Sequence, residues 1–128
     1  MTDFGERMAA WSARAAGRID AVLRRSAGAL LAELVVATPV ASGRARGGWR
    51  VAAGEPAAEP AGLDPDGAAT VARGEEAIAR AAAGDVVAIV NAAPHARDLE
   101  YGGAGMVRGA LAAWPALVER AVEEARRS

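Results

Sequence analysis

Residues 4–39, FGERMAAWSARAAGRIDAVLRRSAGALLAELVVATP, carry the strongest structural signal in the chain. Their apolar positions recur every three or four residues, which predicts one amphipathic helix of about nine turns. We expect Asp3 to cap its start. We expect the Thr38-Pro39 step to end it, because proline pushes the preceding residue out of the helical region. The apolar positions are Phe4, Met8, Trp11, Ala15, Ile19, Val22, Leu23, Leu30, Leu31, Leu34 and Val35.

Beyond residue 39 the pattern changes to short strands and helices. Residues 46–53 alternate and residues 85–91 form a continuous apolar run, so both are predicted strands, the second being the expected central strand. Helix formers predict a middle helix over residues 68–83, with Gly74 as a flaw in its interior. Residues 104–107 fit a short extended segment. A C-terminal helix, which Pro115 either breaks or starts, is predicted from Val107, Leu111, Trp114, Val118, Val122 and Ala125.

These elements predict an α+β fold in a single domain over residues 1–128. The long N-terminal helix packs on a small, mainly antiparallel sheet, and a middle helix and a C-terminal helix complete the domain. Trp49 and Leu99 lie beside the expected sheet, so both are predicted core residues.

An extended loop rich in proline is predicted over residues 54–67, where Leu63 is the one large apolar side chain. Such a loop cannot bury enough surface on its own to offset the entropy lost on ordering. We therefore expect it to become ordered against a neighbouring subunit.

Composition limits the classes of protein that the chain can belong to. Hydrophobic residues make up 52% of the 128 residues but aromatic residues only 4%, so the core is thin. Small domains complete their burial through disulfides, metals or oligomerisation, and the absence of Cys leaves oligomerisation as the open route. A net charge of −1 gives no global attraction to nucleic acid or to anionic membranes. With no leader pattern and no long apolar run, we expect a protein made and used in a cytoplasm.

The residues that suggest chemistry have simpler interpretations. Ser42, His95 and Asp98 are the residue types of a hydrolytic triad, but none lies in a nucleophile-elbow context. Asp64 and Asp66 are similar to the start of a calcium loop whose later ligands are missing. A proline turn leading into the middle helix is favoured there, with Asp66 as N-cap or turn acceptor. We expect no catalytic residue, no metal and no cofactor.

Arg44, Arg46 and Arg50 alternate along the chain. On an extended segment they would share one face, where their guanidinium groups could meet phosphates or an acidic partner. A solvated strand face or local salt bridges would explain the same pattern. The sequence leaves both interpretations open.

Four segments follow one another in a recognisable order. Residues 38–49 read TPVASGRARGGW and residues 64–70 read DPDGAAT, residues 91–102 read NAAPHARDLEYG, and residues 104–108 read AGMVR. Together they resemble the neck and tail-completion protein family of long-tailed double-stranded DNA bacteriophages, which includes the tail-completion protein Z of phage lambda and its HK97-like relatives. The chain departs from the family's pattern at Ala41, Gly48 and His95 and has a shorter loop after Gly102.

The resemblance implies a virion protein without catalytic residues. It would form a ring, taken as hexameric, at the head–tail interface, where it completes the tail and joins it to the DNA-filled head. Its partners would be copies of itself and other neck proteins (connector or stopper, tail terminator, tail tube), with genomic DNA nearby in the channel and no membrane. A tail terminator ring that caps the tail tube is the alternative within this class. A small nucleic-acid-binding regulatory protein is the alternative from another class, and an enzyme comes third.

Two groups of residues are expected to matter for this role. Those expected to contact subunits or partners are Arg44, Arg46, Arg50, Leu63 and Arg108. Those expected to hold the fold are Pro39, Gly43, Trp49, Asn91, Pro94, Leu99, Glu100 and Gly102.

Overall fold

The computed structural model describes residues 3–53 and 62–127. Its helices are α1 (Phe4–Ala37), α2 (Arg44–Gly47), α3 (Ala68–Ile78), α4 (Ala96–Leu99) and α5 (Met106–Arg127), and its strands are β1 (Trp49–Ala53) and β2 (Val87–Asn91). A π-helical turn, Glu100–Ala104, joins α4 to α5. The predicted α+β class is confirmed, because α1 packs on a two-stranded antiparallel sheet with α3 as the middle helix and α5 as the C-terminal helix. Residues 54–61, most of the predicted loop, lie outside the described residues.

Both ends of α1 are where the sequence places them. The Asp3 carboxylate accepts a hydrogen bond of 2.7 Å from the N–H of Glu6, which confirms the predicted N-cap. Thr38 leaves the helical region, with φ −79° and ψ 121°, as expected for a residue before proline. Its hydroxyl donates to the Leu34 carbonyl at 2.6 Å and accepts from the indole N–H of Trp49 at 2.8 Å. Thr38 therefore joins the end of α1 to the sheet.

The sheet has two strands within residues 3–53 and 62–127. They pair antiparallel, from Trp49 opposite Asn91 to Ala53 opposite Val87. The expectation that residues 85–91 form a central strand is therefore wrong, because β2 has β1 on one side only and begins at Val87. One of the two edges of each strand is left unpaired in this part of the chain.

β1 begins at Trp49, and the prediction of a strand from residue 46 is wrong. Arg44–Gly47 form the helical turn α2 instead. The reason is a close approach that no local pattern reveals, since a Cβ atom at Gly47 would collide with the carbonyl oxygen of Gly62. The chain at Gly62 therefore packs directly against the backbone at residue 47, where only glycine fits.

α3 ends at Ile78, earlier than the predicted residue 83. Ala79 still donates to the Glu75 carbonyl and Ala81 donates to the Ile78 carbonyl, both at 2.9 Å, and side chains of α1 hold the segment as well. The Asp20 carboxylate accepts from the Ala83 N–H at 2.6 Å, and the Arg24 guanidinium donates to the Ala81 carbonyl at 2.8 Å. These tertiary hydrogen bonds outweigh the helix propensity of the alanine-rich segment.

α5 begins within residues 104–107, so the predicted extended segment there is wrong. The Glu100 carboxylate accepts from the backbone N–H groups of Val107 and Arg108, at 2.7 Å and 3.3 Å, and so caps the first turn. The helix then runs through Pro115 with neither the break nor the new start that the sequence suggests. Pro115 is exposed, so water can bond to the carbonyl that loses its helical partner.

The core lies between the C-terminal half of α1, β1, α3 and the start of α5. Leu31, Met106 and Trp49 are 0%, 1% and 6% exposed. The prediction of Trp49 as a core residue is thus confirmed. Leu99 is half-buried and packs against the edge of this core, so it meets the prediction only in part.

Candidate subunit interface

The first turns of α1 carry large apolar side chains on a segment that the rest of the described chain leaves open. Every residue from 3 to 14 is exposed. Phe4, Met8 and Trp11 lie about one turn apart on one side of the helix and are 71%, 44% and 59% exposed. We call these three residues the ridge. The first fully buried residue of α1 is Ser26, far along the helix.

The ridge lies beyond the part of α1 along which α5 packs. α1 has 34 residues and α5 has 22. They run in opposite directions, since Val107 shares a hollow with Leu34 whereas Ala125 shares one with Gly17. α5 therefore ends before it reaches the ridge, and about 15 Å of α1 projects past it.

An apolar groove with a volume of about 520 Å³ lies along the contact of α1 and α5. Arg18 and Arg126 contribute to its lining. A second hollow of about 330 Å³ adjoins it and continues toward Val87 and Ile89 on the sheet. We call the following six residues, which supply most of the apolar lining, the groove: Ile19, Val22, Leu23, Trp114, Val118 and Val122.

The groove follows from the residues at the contact between the two helices. On α5 the buried positions include Ala110, Ala121 and Ala125, so the helix backbones come close along a seam of small side chains. The larger residues of α5 lie beside this seam, and Trp114 and Val118 remain only half-buried. A bulky side chain displaced to the edge of a helix pair leaves a furrow that a further apolar element can fill.

Arg46, predicted as a partner contact, is occupied within its own chain. Its guanidinium donates to the carbonyls of Thr38 at 3.0 Å, Pro65 at 2.9 Å and Val36 at 3.3 Å. Arg46 therefore clamps the end of α1 to the turn before α3.

The shared strand face predicted for the three arginines is wrong, because Arg44 and Arg46 belong to α2 and only Arg50 to β1. Arg44 is exposed. Arg50 is half-buried, and its Nε atom is buried without a hydrogen-bond partner among the described residues.

The predicted turn before the middle helix is present. The Asp64 carboxylate accepts from the Thr70 hydroxyl at 2.6 Å and from the Thr70 N–H at 2.8 Å, and Asp66 accepts from the Ala68 N–H at 2.9 Å. Burial acts to raise the pKa of the Asp64 carboxyl, but the hydrogen bonds from Thr70, together with those from Asp66 and the Ala69 backbone, outweigh it and hold the pKa below its ordinary value. Both carboxylates serve the start of α3, in agreement with the interpretation as a proline turn.

Glu100 and Arg108 form the corresponding joint at the start of α5. Besides its backbone bonds, Glu100 accepts from Arg108 Nε at 3.2 Å, and Arg108 Nη2 donates to the Glu100 carbonyl at 2.6 Å. The pKa of the Glu100 carboxyl is lowered, chiefly by the hydrogen bond from the Val107 N–H. Glu100 thus has the structural role expected of it, and Arg108, expected to contact a partner, makes this internal pair.

The other residues expected to hold the fold divide into two groups. The Asn91 side-chain amide donates to the Ala45 carbonyl at 2.8 Å, and a Cβ at Gly43, whose φ is +88°, would overlap the backbone of Pro65. Asn91 therefore holds β2 to α2, and Gly43 allows the chain at Pro65 to pass close to the start of α2. Pro39, Pro94 and Gly102 are exposed, as is Leu63 at 64%.

The residues that suggested hydrolytic chemistry all lie on the surface. Ser42, His95 and Asp98 are exposed, and the Ser42 hydroxyl accepts from the Arg44 N–H at 3.4 Å. Within the two described ranges, no three His, Cys, Asp or Glu side chains are grouped as metal ligands would be. Nor does any helix there have the length and apolarity needed to cross a membrane.

Comparison with known proteins adds no relative, because no family model, curated protein or solved structure matches the chain.

The sequence predicts that the three ridge residues belong to the apolar stripe of α1, but it does not predict that they are exposed. The available signal was length, since the apolar stripe of α1 starts at Phe4 and the shorter C-terminal pattern could not cover it all.

Proposed function

We propose that this protein is a structural subunit of a ring in the neck of a long-tailed bacteriophage. In this role it completes the tail and joins it to the DNA-filled head. It acts by packing against copies of itself and against other neck proteins, and no step of its work is chemical.

The observation that carries the proposal is the amount of apolar surface left open on α1 and α5. A monomeric protein seldom exposes large contiguous apolar patches, and such patches usually mark sites of protein association. Here the ridge projects on a bare helix, and the groove adjoins a second apolar hollow. A subunit that completes its burial against neighbours explains both features.

The four segments that resemble the phage family support the same role. They include Trp49 and Asn91, which bond the sheet to the end of α1 and to α2. They also include Asp64 and Glu100, which accept from backbone N–H groups in the first turns of α3 and α5. The likeness thus involves residues that hold the fold, as expected for a scaffold whose function is to present surfaces.

A phage that lacks this protein tests the proposal. We expect DNA-filled heads and separate tails of normal length, and we expect joining to be restored when purified protein is added to the extract. Joined, infectious particles without the protein would refute the proposal. Overlong tails would instead assign the chain to the ring that terminates the tail tube.

Binding to DNA distinguishes the nucleic-acid alternative. A protein that acts through phosphate contacts loses affinity steeply as salt rises. We expect no salt-dependent binding of the purified protein to duplex DNA, and a steep salt dependence would favour a regulatory role.

A further inference from the structure

The chain presents an apolar helix face and an apolar groove that are separate and both open. Phe4, Met8 and Trp11 have the spacing of i, i+4 and i+7, with which an amphipathic helix anchors itself in a groove. We propose that the ridge of one copy packs in the groove of the next copy. The place of this contact in a phage neck rests on the proposed function, but the contact itself does not.

The ridge cannot reach the groove of its own chain. Ile19, Val22 and Leu23 lie on α1, the same continuous helix that carries the ridge. A helix without a break cannot fold back on its own side, so the contact must be intermolecular. Because it joins two different patches, it is a head-to-tail contact, which gives a closed ring when the rotation between neighbours closes and an open filament when it does not.

The charges favour one direction of docking. Asp3 stands at the N-terminal end of the ridge, whereas Glu6 lies two turns before Ala13 on the opposite face of the helix. Arg18 and Arg126 stand where the groove lies near the C-terminal end of α5. Docking antiparallel to α5 brings these opposite charges to the same end. In this direction the first turns of the docked copy lie parallel to α1 of the copy that supplies the groove. Arg7 of the docked copy then comes toward the level of Glu119 on α5 of the other copy.

The area of the contact sets its strength. An aromatic side chain buries 150–250 Å², so the exposed parts of Phe4, Met8 and Trp11 offer roughly 300–400 Å². A stable pair of proteins buries about 800 Å² on each partner. A single ridge in a single groove is therefore weak, and subunits in dilute solution are monomers. A closed ring is stable because each subunit makes two such contacts.

Two variants on exposed positions separate this arrangement from others. Trp11→Glu removes the ridge, and Ile19→Glu, at a residue 57% exposed, removes the groove. Each variant alone is expected to weaken self-association at least about 30-fold, the size of a hot-spot loss. Mixed at the highest concentration, they retain one intact ridge and one intact groove, so they are expected to form a weak one-to-one dimer and nothing larger. Ala13→Glu, on the opposite face of the same helix, is the matched control and should assemble normally.

Sedimentation velocity over a range of concentrations measures these outcomes, and circular dichroism checks that each variant is folded. Val118→Glu serves as a second groove variant. The proposal is refuted by a wild-type protein that stays monomeric at the highest concentration, by a Trp11→Glu protein that assembles normally, or by a mixture that forms no dimer. Normal assembly of Trp11→Glu together with a loss of assembly in Ile19→Glu would indicate symmetric packing of groove on groove. None of these results depends on the phage experiment, so the neck role and this contact fail separately.

Discussion

The two halves of α1 have the same apolar periodicity and opposite environments. In the C-terminal half, Leu31, Leu34 and Val35 are 0%, 4% and 2% exposed beneath the sheet, α3 and α5. In the N-terminal half, Phe4 and Trp11 are more than half exposed. A helical stripe therefore shows only that a face is meant to be covered. Whether the cover comes from the same chain depends on the lengths of the other elements.

The largest test of this contrast compares two tryptophans. Trp49→Ala should cost about 3–5 kcal/mol of unfolding free energy, because it empties a core position and leaves the Thr38 hydroxyl without its indole partner. Trp11→Ala should change the stability of the monomer by less than about 0.5 kcal/mol. Urea denaturation at low protein concentration measures both, and equal effects would mean that the two tryptophans do not differ in environment.

The next largest effect on stability is expected from Arg46, which clamps the C-terminal end of α1. Arg46→Met removes the donors to three carbonyls, so unfolding free energy should fall by about 1–3 kcal/mol. Arg44→Met, in the same short helix but exposed, is the control and should be nearly neutral. Chemical denaturation of the two variants side by side decides the matter, and a neutral Arg46→Met would show that the clamp contributes nothing.

Substitutions at two helical glycines should have opposite effects, because one glycine is in the core and the other is on the exposed half of α1. A Cβ at Gly74 would collide with the buried Leu31 side chain, so Gly74→Ala should cost about 1–2 kcal/mol despite the better helix propensity of alanine. Gly17, on the exposed half of α1, has open space around it, so Gly17→Ala should stabilise the protein by about 0.5–1 kcal/mol. Thermal unfolding should move in opposite directions, and a shift of the same sign in both variants would contradict the packing described.

The smallest effect concerns the caps of the helices that cover α1. The pKa values of Asp64 and Glu100 are lowered in the folded state, so their charged forms stabilise the protein above the unfolded-state pKa. This stabilisation is lost as the pH falls below about 4 and then through the lowered pKa values of the two carboxyl groups in the folded protein. Stability measured from pH 6 downward should decline less steeply in an Asp64→Asn, Glu100→Gln double variant. An unchanged slope would mean that these carboxylates are not linked to folding.

The sequence was sufficient for α1, and for the class of the fold, because repeat spacing and caps are local signals. Asp3, Thr38 and Pro39 mark the helix ends by their own chemistry. The sequence was insufficient where the local conformation depends on contact with a distant part of the backbone. Gly47 is required by the approach of Gly62, and nothing in the neighbouring residues records that contact.

The candidate site was only partly predictable for the same reason. Arg46 lies beside Arg44 in a pattern that suggests one surface, but its acceptors are carbonyls at Val36, Thr38 and Pro65, which meet only in the folded chain. The ridge required a comparison of how far α1 and α5 extend together. That comparison needs the pairing of the helices, which periodicity alone does not give.

The hydrogen bonds from α1 to the chain after α3 have a mechanical consequence. A seam of alanines lets two helices slide and rotate against each other with little resistance. Asp20 and Arg24 oppose this by holding the backbone at Ala83 and Ala81. They act as pins that fix the rotation of α1 about its axis, and hence the direction in which the ridge leaves each subunit. If the ridge docks on a neighbouring copy as we propose, that direction sets the angle between neighbours, and these two side chains would then influence how many copies close a ring.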